Sequence, residues 1–315
     1  MTAQVTAVVT TTGRDSLGRA CDSVLAQTAP CRLVVVVASD DDSVHDAVRS
    51  RYPGAHVLRC AARNASASRN VGVRAAEGEY VAFLDDDDWW EPTWLETAVR
   101  TAQSIETDPA TPVMVTGSAL FHRAGGRIQI RPADPMPHDP RAVLEELVRR
   151  RHVASASAYV QTSTILLNRA AAGPGPWPEE MPRHQDWELF RRINRRPAAR
   201  WRHVDEPLVH VAQGSARSIS AAPAWQASLR WLDDIGPDLS PGAQSDFLVH
   251  QVLRDALASG SGCGVRHVIA RLTRLHRPGS ARAWLVAVVR GAQGRRALRR
   301  ERPAAPRRLL EGGPP

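Results

Sequence analysis

The chain has no lysine: every basic residue is arginine, a bias that genomic base composition produces as readily as physics. Cysteine is scarce, with Cys21, Cys31, Cys60 and Cys263 as the full set. They show no CxxC pairing and no zinc-like spacing, which argues against a structural zinc site and for buried free thiols rather than disulfides. No uncharged apolar run approaches about 18 residues, which argues against a membrane-spanning helix. The first residues lack a basic stretch followed by an apolar segment, so no signal peptide is expected, and a cytoplasmic protein follows.

The 315 residues that are present suffice for one α/β domain and an appendage, at an ordinary 43% hydrophobic and 23% charged. The net charge of +8 is unevenly spread. Residues 265–315 hold 13 Arg against Glu301 and Glu311, or +11, which leaves the rest at −3. A near-neutral body with a basic tail argues against nucleic acid as the substrate of the main domain. A nucleic-acid-binding role would rest on the tail alone.

Strands alternate with helices through the first part of the chain. Strands are expected at 5–12, 32–37, 56–59 and 80–84, with helices at 17–27, 44–50 (capped by Ser43) and 65–76 between them. The Val-rich run 32–37 is of the kind buried on both faces of a parallel sheet. Further on, the pattern predicts a helix from Pro92 to 103, a strand at 111–121 with a hairpin partner at 127–130, and a helix at 141–151. Strands follow at 160–167, 201–204 and 207–211. This rhythm points to a doubly wound α/β nucleotide-binding domain.

The apolar run Tyr80–Leu84 ends in four carboxylates, Asp85, Asp86, Asp87 and Asp88, followed by Trp89 and Trp90. In an open α/β sheet the carboxyl edge of the strands is where ligands bind. Adjacent acids raise one another's pKa, and a hard divalent cation such as Mg²⁺ or Mn²⁺ is the usual compensation. A solvated acidic turn is the plain alternative, and the Trp pair weighs against it because large aromatics tend to pack.

The stretch Phe83-Leu84-Asp85-Asp86-Asp87-Asp88-Trp89 resembles the DXD region of family 2 glycosyltransferases of the GT-A fold. Thr10-Thr11-Thr12-Gly13-Arg14 stands where that family has a Pro-Thr-Tyr/Asn-Arg-like turn, here without the Pro. Ala38-Ser39-Asp40-Asp41-Asp42-Ser43 stands at its base-reading turn, with the acids displaced by about two positions. Arg63-Asn64-Ala65-Ser66-Ala67-Ser68-Arg69-Asn70-Val71-Gly72 is similar to its Asn…Ser-Ala-Ala-Arg-Asn-x-Gly stretch. The resemblance implies a GT-A-type, mostly parallel sheet flanked by helices, and a nucleoside diphosphate sugar as donor. It places Thr11, Arg14, Asp40, Arg69, Asp85 and Asp86 around the donor and Asp87 on a Mg²⁺ or Mn²⁺ ion, with Asp88 a further acid for the same tasks. Guanidinium forks match phosphate oxygens, which suits Arg69, although a surface helix arginine or a scaffold role is also open.

About 100 residues on lies His184-Gln185-Asp186-Trp187-Glu188-Leu189. Trp187, Phe190 and Ile193 have the spacing of a core-facing helix stripe, which puts Asp186 at the helix start, where capping and the helix dipole favour an acid. The stretch is similar to the family's Glu-Asp-Trp/Tyr-Glu/Asp-Leu, with Gln185 in place of the first acid. That similarity implies Asp186 as catalytic base of an inverting transfer to an acceptor hydroxyl. His210 could contact metal or phosphate or be structural, and Arg217 could clamp a phosphate. The acceptor, whether saccharide, lipid carrier or small natural product, is not readable.

The resemblance covers about residues 5–218, so residues 1–218 are expected to be the GT-A-like domain, 219–302 a helical accessory region and 303–315 a disordered tail. Residues 284–289 are apolar and flanked by Arg, which allows peripheral membrane contact or a helix packed on the body. Two rivals stand beside the transferase. A sugar nucleotidyltransferase would need a Gly-rich basic loop after the first strand, and Thr10–Arg14 has one Gly and one Arg. A non-catalytic nucleotide- or carbohydrate-binding module would tolerate the altered turn at 38–43 and Gln185.

Overall fold

A computed structural model describes residues 5–62, 64–123, 125–149, 158–212 and 223–301, with side chains to residue 294. Its first half is β1 (Val5–Thr11), α1 (Leu17–Leu25), β2 (Cys31–Val37), α2 (Asp42–Arg51), β3 (His56–Arg59), α3 (Ala65–Ala75) and β4 (Tyr80–Asp85). All four strands pair in parallel, in the order β3-β2-β1-β4. Such strands must be apolar on both faces, and β1, β2 and β4 are buried over nearly their whole length. In α1, Leu17, Ala20, Cys21 and Val24 form the inward stripe. The cap of α2 is Asp41, whose carboxylate accepts from the Ser43 amide; Ser43, expected as the cap, is the donor to it.

The second half is β5 (Trp89–Trp90), α4 (Trp94–Ile105), β6 (Val113–His122), β7 (Ile128–Arg131), α5 (Pro140–Val148), β8 (Leu166–Asn168), α6 (Arg169–Ala172), α7 (Gln185–Asn194) and β9 (Arg200–Ala212). The nine-stranded sheet continues β4-β8-β6-β9-β5, with β7 hairpinned onto β6. β8 runs antiparallel to β4 and β6, while β6 and β9 are parallel. Three expectations needed correction. Residues 160–167 are not one strand: a 3-10 turn, Thr162–Thr164, precedes the short β8. Residues 201–204 and 207–211 are one strand that bulges opposite Gly117, Ser118 and Ala119, where Asp205, Glu206 and Leu208 of β9 are the extra residues. Trp89 and Trp90 form an edge strand on β9, so α4 starts at Trp94 rather than Pro92.

Both sheet faces are covered. Leu17, Val24, Trp94, Leu95 and Ala98 pack one face, from α1 and α4. Val143 and Leu147 of α5 and Leu189, Phe190 and Ile193 of α7 pack the other. Gly72 of α3 lies where an added Cβ would stand 2.3 Å from the Val8 side chain, so glycine permits the close approach of α3 to β1. Helices α8 (Trp225–Ile235), α9 (Pro241–Phe247), α10 (Arg254–Ser259), α11 (Gly262–Leu275) and α12 (Ala281–Glu301) follow, and a π-helical turn, Leu248–Leu253, joins α9 to α10. They share a third core with Leu144 and Val148, on the far side of α5. α5 is therefore apolar on two faces and joins the sheet to the helices behind it. All four cysteines are free thiols; Cys21 and Cys60 are buried as expected, but Cys263 is exposed. No helix among the described residues is long and apolar enough to cross a membrane.

Candidate active site

The carboxyl ends of β1, β2 and β4 meet at one edge, and the 3-10 turn reaches the same edge because β8 is antiparallel to β4. The four acids after Leu84 are each held differently. Asp85 accepts from Arg69 at 2.7 Å and from Gln161 at 3.4 Å. Asp86 is buried and accepts from the Thr11 hydroxyl at 2.6 Å and from Arg14 at 2.9 Å. The same Arg14 nitrogen donates to Asp87 at 2.9 Å. Asp88 is 1% exposed and accepts from the Ser163 hydroxyl at 2.6 Å, Gln161 at 3.0 Å and the Ala212 amide at 3.0 Å.

These contacts divide the acids by task. Asp86 and Asp88 face inward and brace the loop: Asp86 ties β4 to the turn after β1, and Asp88 ties it to β9 and the 3-10 turn. Asp85 and Asp87 keep more contact with solvent, their side chains 26% and 20% exposed against 5% for Asp86. Burial raises the pKa of Asp86, which Thr11 and Arg14 oppose. Burial and then the Asp85 charge raise Asp87, and the same two causes push Asp88 well above the usual carboxylate range. Among the described residues, no three His, Cys, Asp or Glu side chains form a group that could hold a metal. Mg²⁺ is commonly held by one or two carboxylates together with substrate phosphates. Asp85 and Asp87 are a donor set that fits such an ion, and an all-protein cage is not what they build.

Arg69 links this edge to α7. It lies on α3, 6% exposed, with one guanidinium nitrogen on Asp85 and the other donating to Gln185 at 3.1 Å. Its guanidinium also stacks 4.6 Å from the Trp177 ring centre. The neighbouring Asn70 holds Trp177 in place, accepting its amide and donating to its carbonyl at 3.0 and 2.9 Å. The Arg-Asn pair of α3 thus serves two ends: Arg69 the site, Asn70 the loop beneath it.

Asp186 sits in the first turn of α7. The residue before the helix, His184, takes the cap position in a left-handed conformation (φ 60°), so Asp186 is not the cap that its position suggested. Burial pushes its pKa up to about 6, with the Arg69 charge opposing and the Asp85 charge adding to the rise. The helix start is fixed by aromatic packing. The His184 ring stacks on Trp231 and Trp187 at 4.8 and 5.1 Å, meets Phe247 edge-on at 5.4 Å, and its Nε2 pairs with the Ser228 hydroxyl at 2.9 Å. Burial holds its pKa well below the ordinary value, so the ring is neutral. On the next turn Glu188 accepts from Arg191, Arg192 and the Trp231 indole.

The remaining expected residues lie at the margin. Asp40 is exposed just beyond the carboxyl end of β2. His210 pairs with Trp89 across β9 and β5 and stacks on it at 4.6 Å; its ring nitrogens meet His122 at 2.8 Å and Glu91 at 2.6 Å. The Arg19 guanidinium also lies over the Trp89 ring, at 3.5 Å. Arg217 falls outside the described residues, as does the tail 303–315. Sequence reasoning missed Gln161, Ser163 and Tyr159. The Tyr159 hydroxyl is buried with no hydrogen-bond partner among the described residues and feels the charges of Asp88 and Asp186. Nothing in the spacing of these polar residues marks them in advance.

A parallel four-strand half with an acid-bearing edge, joined to a mixed half whose helix brings a further carboxylate to that edge, is the GT-A arrangement. Residues 6–150, just under half of the chain, match the model of the family described as Glycosyl transferase family 2. The amylovoran biosynthesis glycosyltransferase AmsB of Erwinia amylovora is 26% identical over 215 residues, 64% of this chain and 66% of that protein. The uncharacterized glycosyltransferase YibD of Escherichia coli K12 is 36% identical over 121 residues, 37% of this chain and 34% of that protein. The matched stretches thus span less than two thirds of these relatives' own lengths. Among solved structures, S. aureus TarS 1-349 in complex with UDP-GlcNAc superposes with a TM-score of 0.57 at 15% identity, over 95% of this chain and 90% of that one, a likeness of fold. The resemblance to the family 2 glycosyltransferases read from the sequence thus holds over residues 6–150.

Proposed function

We propose that the protein transfers a sugar from a nucleoside diphosphate sugar to an acceptor hydroxyl in one inverting displacement. The observation that carries this reading is Arg69, whose guanidinium joins Asp85 at the end of β4 to Gln185 at the start of α7. It brings the start of α7 to the strand-edge acids, close enough for the charges of Arg69 and Asp85 to act on Asp186. A UDP-sugar bound to the TarS neighbour supports the donor class without fixing the base for this chain.

Each residue then has a task that follows from its surroundings. Asp186, its pKa near 6, is ionised at neutral pH yet basic enough to take the acceptor proton as the oxygen attacks. Attack from the face opposite the leaving group inverts the anomeric centre. Asp85 and Asp87 would hold a Mg²⁺ or Mn²⁺ ion, which supplies positive charge to the departing diphosphate. Arg69 holds Asp85 in position, and Thr11 and Arg14 hold the acidic turn. Asp40 lies at the edge where the base would be read.

The test is a thermal-shift panel of nucleoside diphosphates and their sugars, with and without Mn²⁺, since a ligand that binds the folded state raises its apparent stability. A metal-dependent shift with one nucleotide is expected, lost in Asp87→Ala and kept in Asp186→Ala, and the shifting nucleotide names the base. Asp186→Ala should bind donor and fail to transfer. A nucleotide shift in the wild type without transfer to any saccharide or lipid-linked acceptor would favour the binding module instead.

A further inference from the structure

Helix α12 has two unlike faces. Ala283, Val286, Ala287 and Gly291 are buried. Gly291 packs on Leu257 and on the carbonyl of Arg254, and Gly294 packs on Ala258, which seats the helix against α10. The opposite face carries Trp284, Leu285, Val288 and Val289, which are 36, 51, 56 and 46% exposed. At 100° per residue these four fall within one arc. They make up half of the eight large hydrophobic side chains exposed among the described residues. A contiguous exposed apolar ridge of this kind marks a contact surface rather than chance exposure.

Charge says what meets it. The segment from residue 265 onward carries +11. Arg277 before the helix and Arg282 in its first turn are exposed beside the ridge. Trp284 donates its indole N–H to the Pro278 carbonyl at 2.6 Å, holding the residues around Arg277 against the helix start. On the flank, Arg290 is close enough to Arg254 and Arg123 for their like charges, after burial, to lower its pKa. A second apolar protein surface would leave this positive field uncompensated, whereas an anionic lipid surface accepts the apolar residues at the acyl boundary and the arginines at the headgroups. We propose that α12 lies in the plane of an anionic membrane surface, with Trp284, Leu285, Val288 and Val289 as its inserted ridge. The helix rests there without crossing, in keeping with its low overall apolarity.

The proposal stands apart from sugar transfer, so its test needs no turnover. The full chain is sedimented with vesicles of phosphatidylcholine alone and with vesicles of phosphatidylcholine and phosphatidylglycerol in equal parts, at low and high salt. Binding to the anionic vesicles is expected, weakened by salt and weak on phosphatidylcholine alone. The triple variant L285S/V288S/V289S should bind at least about tenfold more weakly, because it removes three inserted side chains. The substituted side chains are exposed, so far-UV circular dichroism and the thermal midpoint should match the wild type. Equal binding by the variant, or no binding by the wild type, would overturn the proposal. A wild-type dimer in solution that the variant renders monomeric would also overturn it, by assigning the ridge to a second copy of the chain.

Discussion

At the strand edge, Asp85 to Asp88 are each gripped by polar partners: Arg69, Arg14, Thr11, Gln161, Ser163 and the Ala212 amide. On α7, Asp186 accepts from the Trp187 amide beside it, and its helix is steadied mainly by the rings of His184, Trp187, Trp231 and Phe247. One side fixes its carboxylates by hydrogen bonds, which set position and partly oppose the rise that burial gives Asp86 and Asp88. The other fixes a carboxylate by packing the helix beneath it, which sets position and leaves the charge poorly solvated. The first arrangement suits an acidic turn that must keep its shape while a donor comes and goes. The second suits a base that must give up its charge in the reaction.

The largest test of that contrast is Asp186→Asn. Transfer should fall by about 10²–10⁴-fold, the usual worth of a general base. Stability should move the other way. A carboxylate whose folded pKa is raised binds its proton more tightly in the folded state, so ionisation costs stability as pH rises from its ordinary 3.8 through about 6. Above that window the variant should be more stable than wild type by about 1–3 kcal/mol, and below about pH 4 the two should converge. Chemical denaturation across this range measures it. A variant less stable than wild type at neutral pH would show that Asp186 is held by partners after all.

Phe247→Ala asks whether the helices behind the sheet place the base. Phe247 is fully buried, and its loss should cost about 3–5 kcal/mol. At a temperature where the variant is still folded, turnover should drop while donor affinity stays near wild type, because His184 loses a neighbour and the acidic edge does not. Equal losses in both would mean the two sides are not separately built.

Arg69 is shared by both sides, with Asp85 on one and Gln185 on the other. In Arg69→Met, the positive charge that opposes the rise of Asp186 is gone, so the acid limb of the rate profile should move upward from about pH 6. Arg69→Lys should restore little, since one ammonium cannot reach Asp85 and Gln185 together or stack on Trp177 as the planar fork does. An unchanged acid limb in Arg69→Met would remove Asp186 as the group that sets it.

What could be read in advance follows the same division. β1 to β4, their helices and the acidic edge were legible, because parallel strands are written as continuous apolar runs and the acids adjoin one of them. The short β8 was not, since three residues between a 3-10 turn and α6 have no period to detect. The two-strand reading of 200–212 failed where Asp205, Glu206 and Pro207 interrupt a strand that pairs on across an irregularity. Asp186 was legible as a helix-start acid, but its surroundings were not. They come from residues 228, 231 and 247, more than 40 positions on, and from Arg69, more than 100 positions back. Contacts made at that range leave no trace in local spacing.

The smallest effect is a control on the donor side. Asp41 caps α2 by accepting from the Ser43 amide, and it is exposed. That hydrogen bond lowers its pKa, so its contribution is present at neutral pH and fades as pH falls through the folded value. Asp41→Ala should lower the thermal midpoint slightly, through loss of a side-chain cap. The neighbouring Asp40 is the acid proposed to read the base, so the substitution separates capping from recognition within two adjacent acids. Asp41→Ala should leave nucleotide discrimination as it was, and Asp40→Ala should alter it with little change in the thermal midpoint. If Asp41→Ala changed the preferred nucleotide, the base-reading role would belong to the cap of α2, and bracing and binding would fall to one acid here, unlike at the strand edge, where Asp86 and Asp88 brace and Asp85 and Asp87 face the donor.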